Sequence, residues 1–465
     1  MEMTVPLQAA FLDSIAPYPA LAGLAAALDT PSEVSIRINR RKAPLAAPAD
    51  ADGAVPWAGG DGFYLGERPA FTFDPALHQG LYYVQDASSM AAAAAVARAV
   101  ELSGGDRPLR FLDACAAPGG KTIGAICALP EGSLAVANEY SPRRVPVLVE
   151  NLAKWGTAPV VVTSADASSI KGLDGFFDII AADVPCSGEG MMRKDDDARR
   201  QWSAALLRDC AALQRAIVER LWRALRPGGM LVYSTCTFNR AENEEVVAAL
   251  VADHGAEPLA VPALDGAPGV AGAIDAGFPA YRFIPGRVRG EGLFLCLLRK
   301  PGDEPAATVK SGKPQRGVDL GVAAGRLSGD WAGIAHSGSL YALPSAQMAA
   351  YAAVARAMPV VSPGIEVATV KGRDTIPSQP LALSTYLRPD AFPAAEVDTA
   401  TALTYLCRNA VSLPDGTPRG IVLLTHGGHP LGFVKNLGSR ANNLYPASWR
   451  ILSQQPRAAT ILKIR

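Results

Sequence analysis

Neither a CxxC pair nor a cluster of histidines occurs in the 465 residues, and the seven cysteines are dispersed and odd in number. This argues against a disulfide framework and against a zinc site of ordinary ligand spacing; no metal is expected. There is no uninterrupted apolar run of about 18 residues, the length a membrane span requires. The start, MEMTVPLQAAFLDSI, has no basic segment ahead of an apolar one. Export and membrane insertion are therefore not expected, and a reducing cytoplasm suits the free thiols. The formal net charge is zero, so overall charge predicts no polyanionic partner. Acid is missing locally, however. After Asp415 come Arg419, Lys435, Arg440, Arg450, Arg457, Lys463 and Arg465 without one Asp or Glu, a pattern that predicts a basic surface fit for phosphates.

With 49% apolar and 19% charged residues, the chain reads as globular and long enough for two or three domains. Phe11, Ile15, Leu21, Leu24 and Leu28 recur at helical spacing, PSEVSIRINRRK alternates like an edge strand, and SSMAAAAAVARAV (88–100) predicts a helix. From 109 to 300, the short apolar runs RFLDAC, SLAVANE, VVVTSAD, FDIIAAD and GMLVYSTC alternate with helical stretches. The clearest helix is ALLRDCAALQRAIVERLWRAL, ahead of Arg226-Pro227-Gly228-Gly229, and GLFLCLLRK follows as a late strand. This alternation predicts an α/β fold with a mostly parallel, doubly wound sheet, whose ligands lie at the carboxyl ends of the strands. The expected organisation is an N-terminal module over 1–88, the α/β domain over 89–301, a linker over 302–330 and a mixed extension over 331–465.

Three strand exits carry candidate cofactor chemistry. In LDACAAPGGKT, Gly119 and Gly120 allow close backbone approach, and the next helix offers free N–H groups. It is not a phosphate-binding P-loop, because position 115 is cysteine where that motif needs glycine; the strict GxGxxG pattern is absent too. Glu139, about twenty residues on, stands where an acid accepts from ribose hydroxyls. Asp166 ends the third run, where it can receive an adenine amino group or cap a helix. Together these favour an adenosine-bearing cofactor.

The fourth run ends Asp183-Val184-Pro185-Cys186-Ser187-Gly188 and the fifth ends Ser234-Thr235-Cys236-Thr237. Both cysteines stand among small or polar residues at strand exits, unlike Cys127, Cys210, Cys296 and Cys407, which read as small core hydrophobes. N–H groups around the polar segment after Cys236 are expected to favour its thiolate. Carbon 5 of cytosine is too electron-poor to attack a sulfonium methyl until a thiolate adds to carbon 6. One thiol attacks, an acid such as Asp183 supports the adduct, and a second thiol helps release the product. The residues alone do not rank the two cysteines.

DACAAPGGKT, DVPCSGEG, YSTCTFNRAENEEVV and RFIPGRVRGEGLFLCLLRK, in this order, together resemble the Sun-type RNA cytosine-C5 methyltransferases. SIRIN and GFYLGERPAFTFDPALHQGLYYVQDASSM are similar to that family's preceding module. LYALP, GHPLGFVKN and NNLYPASWR look like the PUA-like extension of its bacterial subgroup that modifies small-subunit ribosomal RNA. The resemblance implies a class I methyltransferase fold and S-adenosylmethionine as cofactor. It implies a cofactor loop of Cys115, Ala116, Ala117, Pro118, Gly119, Gly120 and Lys121, with Glu139, Asp166 and Asp183 completing the site. Cys236 would be the nucleophile and Cys186 the aid to release, with Asp183 and Lys121 in the catalytic set.

The implied partner is RNA, with 16S ribosomal RNA or the small subunit expected ahead of transfer RNA, and a monomer is expected. One departure is Gly286, where the family commonly has histidine; it bears on a substrate-side contact. A DNA cytosine methyltransferase would use the fourth-strand cysteine instead, and Cys236 argues against it. A non-catalytic ribosomal RNA-binding factor is the alternative from another class. Arg193, Lys194, Arg199 and Arg200 are expected at the cleft mouth as phosphate contacts, and Tyr445 and Trp449 are candidates for stacking on bases. The target base is expected to turn out of its helix or loop to reach a recessed thiol.

Overall fold

Apolar runs flanked by polar exits become strands where both faces can be covered. In the computed structural model, five of them form parallel strands: Arg110–Asp113, Leu134–Asn138, Val160–Thr163, Phe177–Asp183 and Leu225–Thr235, hereafter the first to fifth core strands. Their spatial order is fifth, fourth, first, second, third. Leu293–Arg299 adds antiparallel to the fifth and itself carries Glu257–Leu259 and Tyr281–Phe283. The structure describes residues 5–302, 317–372, 374–453, 459 and 461–463; of the linker expected over 302–330, residues 303–316 lie outside them.

Helices cover both faces. Ala91–Leu102, Gly120–Ala128 and Val145–Trp155 pack one side; Ala204–Ala224 and Glu244–His254 pack the other. The helix Ala204–Ala224 shows why. Ser203 caps it by accepting from the Leu206 N–H at 3.1 Å, and Gln214, Ile217, Val218, Leu221 and Trp222 repeat at helical spacing as its buried stripe. Chain order reverses between the first and fourth strands, so the cleft opens where their carboxyl ends diverge.

Two features depart from the sequence reading. PSEVSIRINRRK is not an edge: Val34–Ile38 lies inside a four-stranded sheet, between Gly62–Leu65 and Tyr82–Val84. Its alternation misleads because the polar Ser35 and Arg37 are themselves buried. Ser35 Oγ donates to the Gln85 carbonyl at 2.6 Å, and Arg37 Nε donates to Gln85 Oε1 at 3.0 Å. The region beyond Trp331 is also not separate from the core. Val360–Pro363 pairs antiparallel with the third strand, and the helix Met348–Ala357 packs on the same sheet face as Ala204–Ala224.

Two further four-stranded sheets follow, Trp331–His336 with Ser339–Pro344, Ile365–Lys371 and Asp374–Pro377, then Ala394–Glu396 with Gly420–His426, His429–Asn436 and Ala441–Asn443. Leu462–Lys463 returns to pair with Ala47–Pro48 of the N-terminal module. No helix among the described residues is long and apolar enough to cross a membrane.

Behind the fifth strand, Arg282 and Glu244 form a fully buried ion pair. Arg282 Nε donates to Glu244 Oε1 at 2.7 Å and Nη1 to the Phe238 carbonyl at 2.7 Å, while Glu244 also accepts from the Ile274 N–H at 2.8 Å. Arg282→Ala strands a carboxylate away from water and should lower unfolding free energy by roughly 3–5 kcal/mol. Urea denaturation reads this directly, and an unchanged midpoint would contradict the burial described.

Candidate active site

The first strand ends in a loop held from several sides. Asn138 is fully buried at the end of the second strand and uses its whole amide. Nδ2 donates to the Ala114 and Ala165 carbonyls at 3.0 and 2.9 Å, and Oδ1 accepts from Thr163 Oγ1 and the Ala165 N–H at 3.0 and 2.9 Å. It thus ties together the exits of three strands. Gly119 has φ +112°, a conformation closed to most side chains, and turns the chain into the helix Gly120–Ala128. At Gly120 a Cβ would come 3.0 Å from the Tyr83 ring, so the missing side chain makes room for the N-terminal module. Gln85 of that module donates to the Gly120 carbonyl at 3.0 Å.

The fourth and fifth strands run in parallel register to their ends, with Asp183 opposite Ser234. Beyond that pair the chains diverge by two and three residues to Cys236 and Cys186, whose sulfurs lie 3.2 Å apart. Two buried carboxylates hold these exits. Glu242 accepts from the Ser187 N–H at 2.8 Å and from Gln214 Nε2 at 2.9 Å, and it also receives the Ser187 hydroxyl and the Asn239 amide. Glu189 accepts from the Phe238 and Asn239 N–H groups at 2.7 and 3.0 Å and from Trp202 Nε1 at 3.0 Å. Those two N–H groups follow Cys236 and were expected to favour its thiolate; the Glu189 carboxylate takes them instead.

Asp183 stands at the centre. It accepts from Lys121 Nζ at 2.9 Å and from Ser234 Oγ at 2.8 Å, bridging the cleft between first and fourth strands. Burial opposes the charge on Lys121, but Asp183, by charge and hydrogen bond, and then Cys236 outweigh it and raise the ammonium above its ordinary range. The Cys236 sulfur, and then burial, hold the Cys186 thiol well above its usual range. Cys186 therefore keeps its proton beside its neighbour.

A cavity of about 200 Å³ opens here, lined by Cys115, Ala116, Ala117, Pro118, Gly120, Lys121 and Asp183. Glu139 sits behind this loop, accepting from the Ala117 N–H at 3.3 Å and the Ser141 N–H at 2.8 Å, with Arg144 3.5 Å away. Asp166 stands apart: it is exposed, and its carboxylate caps the following turn through Ser168. The same cavity is lined by Tyr83, Val84, Gln85, Asp86 and Ser89, which sequence reasoning did not single out; YYVQDASS gave only a familial likeness.

Several expectations are corrected. Arg193 and Arg199 are buried struts, not phosphate contacts. Arg193 donates to the carbonyls of Thr30 and Gly290 at 3.1 and 3.3 Å. Arg199 donates to the carbonyls of Met192, Val5 and Leu28 at 2.6, 2.9 and 2.8 Å and pairs with Asp29 at 2.8 Å. Lys194 and Arg200 are exposed, paired with Glu291 and Asp197 at 3.1 and 2.6 Å. Tyr445 is packed in the core of the last sheet and cannot stack on a base, while Trp449 is half-buried beside it.

Of the four cysteines read as core, only Cys296 is buried; Cys127 is exposed, and Cys210 and Cys407 are intermediate. Gly286 is exposed at φ +86°, and a Cβ there would lie 2.9 Å from Ala27 of the N-terminal module. Arg419, Lys435, Arg440, Arg450 and Lys463 are all exposed, whereas Arg457 and Arg465 lie outside the described residues.

Asp113, buried under the loop, accepts from Thr122 Oγ1 at 2.6 Å. Burial pushes its carboxyl up to about 6, against the Thr122 hydrogen bond and with help from Asp183. A carboxyl raised on folding binds more protons in the native state, so its contribution is present at low pH and lost as pH rises from about 4 through 6. Asp113→Asn should therefore gain stability relative to the parent by roughly 3 kcal/mol between pH 4 and 7, at about 1.4 kcal/mol per pH unit of displacement. Parallel urea curves for the two proteins at both pH values test this; a constant difference would refute it.

Residues 100–299 match the family model described as "16S rRNA methyltransferase RsmB/F". Residues 12–87 match "N-terminal domain of 16S rRNA methyltransferase RsmF", and residues 392–451 match "Methyltransferase RsmF PUA domain". Two relatives carry the name Ribosomal RNA small subunit methyltransferase F. That of Serratia proteamaculans is 36% identical over 300 residues, 62% of this chain and 61% of its own; that of Citrobacter koseri is 38% identical over 304 residues, 62% of each. The chain thus spans about three fifths of the length of the curated relatives it matches. The solved structure titled "Crystal Structure of PH0851" shares the fold, with a TM-score of 0.53 at 21% identity over 63% of this chain and 66% of that one. Three family models thus match successive stretches of one chain that carries the paired strand exits described above, and over residues 12–87, 100–299 and 392–451 the chain is similar to the RsmB/F methyltransferases.

Proposed function

We propose that this protein methylates carbon 5 of a cytosine in RNA, with S-adenosylmethionine as donor and 16S ribosomal RNA as substrate, in the cytoplasm. The observation that carries the reading is the 3.2 Å approach of two strand-exit thiols beside the Lys121–Asp183 pair. The names of the relatives, each a small-subunit ribosomal RNA methyltransferase, support the choice of RNA.

The residues fit such a cofactor. Cys115, Ala116, Ala117, Pro118, Gly120, Lys121 and Asp183 line one cavity, and the buried Glu139 carboxylate behind the loop is assigned the ribose hydroxyls. Bound there, the cofactor supplies an electrophilic methyl group. Asp166, exposed at the edge, is assigned the adenine end.

The chain's own residues do the rest. Cys236 adds through its sulfur to carbon 6 of the cytosine, which turns carbon 5 into a nucleophile. Asp183, oriented by Ser234 and Lys121, hydrogen-bonds the ring nitrogen or amino group and stabilises the adduct. Lys121 balances the charge of Asp183 and of the Cys236 thiolate. When the adduct breaks down, carbon 5 gives up its proton, the carbon–sulfur bond breaks and the electron pair stays on the Cys236 sulfur, with Cys186, held protonated, poised beside it. For RNA capture, the exposed basic residues after Asp415 supply phosphate contacts, together with the exposed Lys194 and Arg200.

The two thiols should separate by experiment. Cys236→Ala should form no covalent RNA adduct and lose turnover by on the order of a thousandfold or more. Cys186→Ala should accumulate an adduct that survives denaturing electrophoresis. If Cys186→Ala forms no adduct while Cys236→Ala still does, the roles are reversed. If labelled S-adenosylmethionine transfers nothing to unmodified 16S RNA or to small subunits, the reading fails.

A further inference from the structure

The two cleft thiols are placed for a second chemistry that methyl transfer does not use. Cys186 and Cys236 follow neighbouring parallel strands whose last paired residues, Asp183 and Ser234, are in register, so their backbones diverge from a fixed spacing. Their sulfurs are 3.2 Å apart, already in contact and close to the disulfide bond length of about 2.05 Å. Both are partly exposed, so a small oxidant can enter the cleft. The Lys121 ammonium lies among the groups that interact with the Cys236 sulfur.

We propose that Cys186 and Cys236 are a reversible oxidation site, closed to a disulfide by hydrogen peroxide and reopened by dithiols. The Cys236 thiolate attacks one peroxide oxygen and the O–O bond breaks. Hydroxide leaves, takes up a proton as water, and the sulfur becomes a sulfenic acid. The Cys186 sulfur then attacks that sulfur and the S–O bond breaks. The Cys186 proton goes to the departing oxygen, giving a second water. Two thiols and one peroxide become one disulfide and two waters, the thiols losing two electrons and the peroxide gaining them.

The second thiol thereby protects the first. A lone sulfenic acid proceeds to sulfinic and sulfonic acids, which dithiols do not reverse, whereas a resolving thiol at contact distance diverts it. Once closed, the bridge leaves no sulfur free to add to a pyrimidine. That consequence for activity rests on the function proposed above; the bond itself does not.

The test treats the full chain with a several-fold molar excess of hydrogen peroxide and digests it without reductant for mass spectrometry. The expected product is a linked pair of peptides holding Cys186 and Cys236, lighter by two hydrogens, that dithiothreitol separates. Cys210→Ser, a thiol outside the cleft, should leave the link intact. Cys186→Ala should give no link and carry Cys236 with two or three added oxygens after the same exposure. Trapping on RNA containing 5-fluorocytosine should fall to background in the oxidised protein and return with dithiothreitol.

Sulfinic acid at Cys236 in the parent protein, or a link to any other cysteine instead, overturns the proposal. A link that forms in a protein whose reduced state never traps the RNA overturns the proposed function and leaves this site standing.

Discussion

The parallel pairing of the fourth and fifth core strands is the constraint on which the cleft depends. Hydrogen bonding in register up to Asp183 and Ser234 sets the two backbones at strand spacing where the chain leaves the sheet. A one-residue slip would turn every side chain of the strand to the opposite face and separate the two sulfurs. Both strands are buried along nearly their whole length, so register is set by packing on two sides. Past the sheet, the ladder no longer holds the exits. Glu242 and Glu189 take over, each gathering donors from the segments after both strands. Burying a carboxylate is costly unless donors surround it, so each anchor demands the loop geometry that supplies them.

The outer modules are built into the same frame. The buried guanidinium of Arg199 sits at the meeting of residues 5, 28, 29 and 192, locking the N-terminal helices to the segment just after Cys186. Gln79 donates to the carbonyls of His426 and His429, both at 2.8 Å, joining the first module to the last sheet. Removing everything beyond Trp331 would therefore strip a strand from the central sheet, uncover the edge of the third strand and expose the helix-packed face. A truncation of that kind reports on folding as much as on RNA contact.

Much of this was legible because periodicity and exit chemistry are local. The five core strands, the long helix after Ser203 and the glycine-turned loop all follow from short windows of sequence. What escaped reading depends on partners distant in the chain. Val34–Ile38 alternates, but its polar residues find Gln85 some fifty positions later, which makes an interior strand look like an edge. Arg193 and Arg199 carry charge in a polar stretch, and nothing local signals the ring of carbonyls that consumes them. The cavity wall from Tyr83 to Ser89 belongs to another module altogether. Its role depends on Gly120 lacking a side chain, a fact visible only once Tyr83 is seen against it. Val360–Pro363, four residues long, carries too little pattern to be assigned to a sheet that began two hundred and fifty residues earlier.

Electrostatics separates two thiols that composition alone leaves equivalent. The ammonium of Lys121 reaches both Asp183 and Cys236, while Cys186 meets only the neighbouring sulfur, burial and the negative charge of Glu242 among the causes that raise it. Cys186, raised by its neighbour and by burial, keeps its proton. The cation that distinguishes the surroundings of the two sulfurs comes from the first strand, whose loop delivers Lys121 across the switch point. Loop and strand exits are consequently one device: the lysine that lines the cavity also holds Asp183 at the end of the fourth strand.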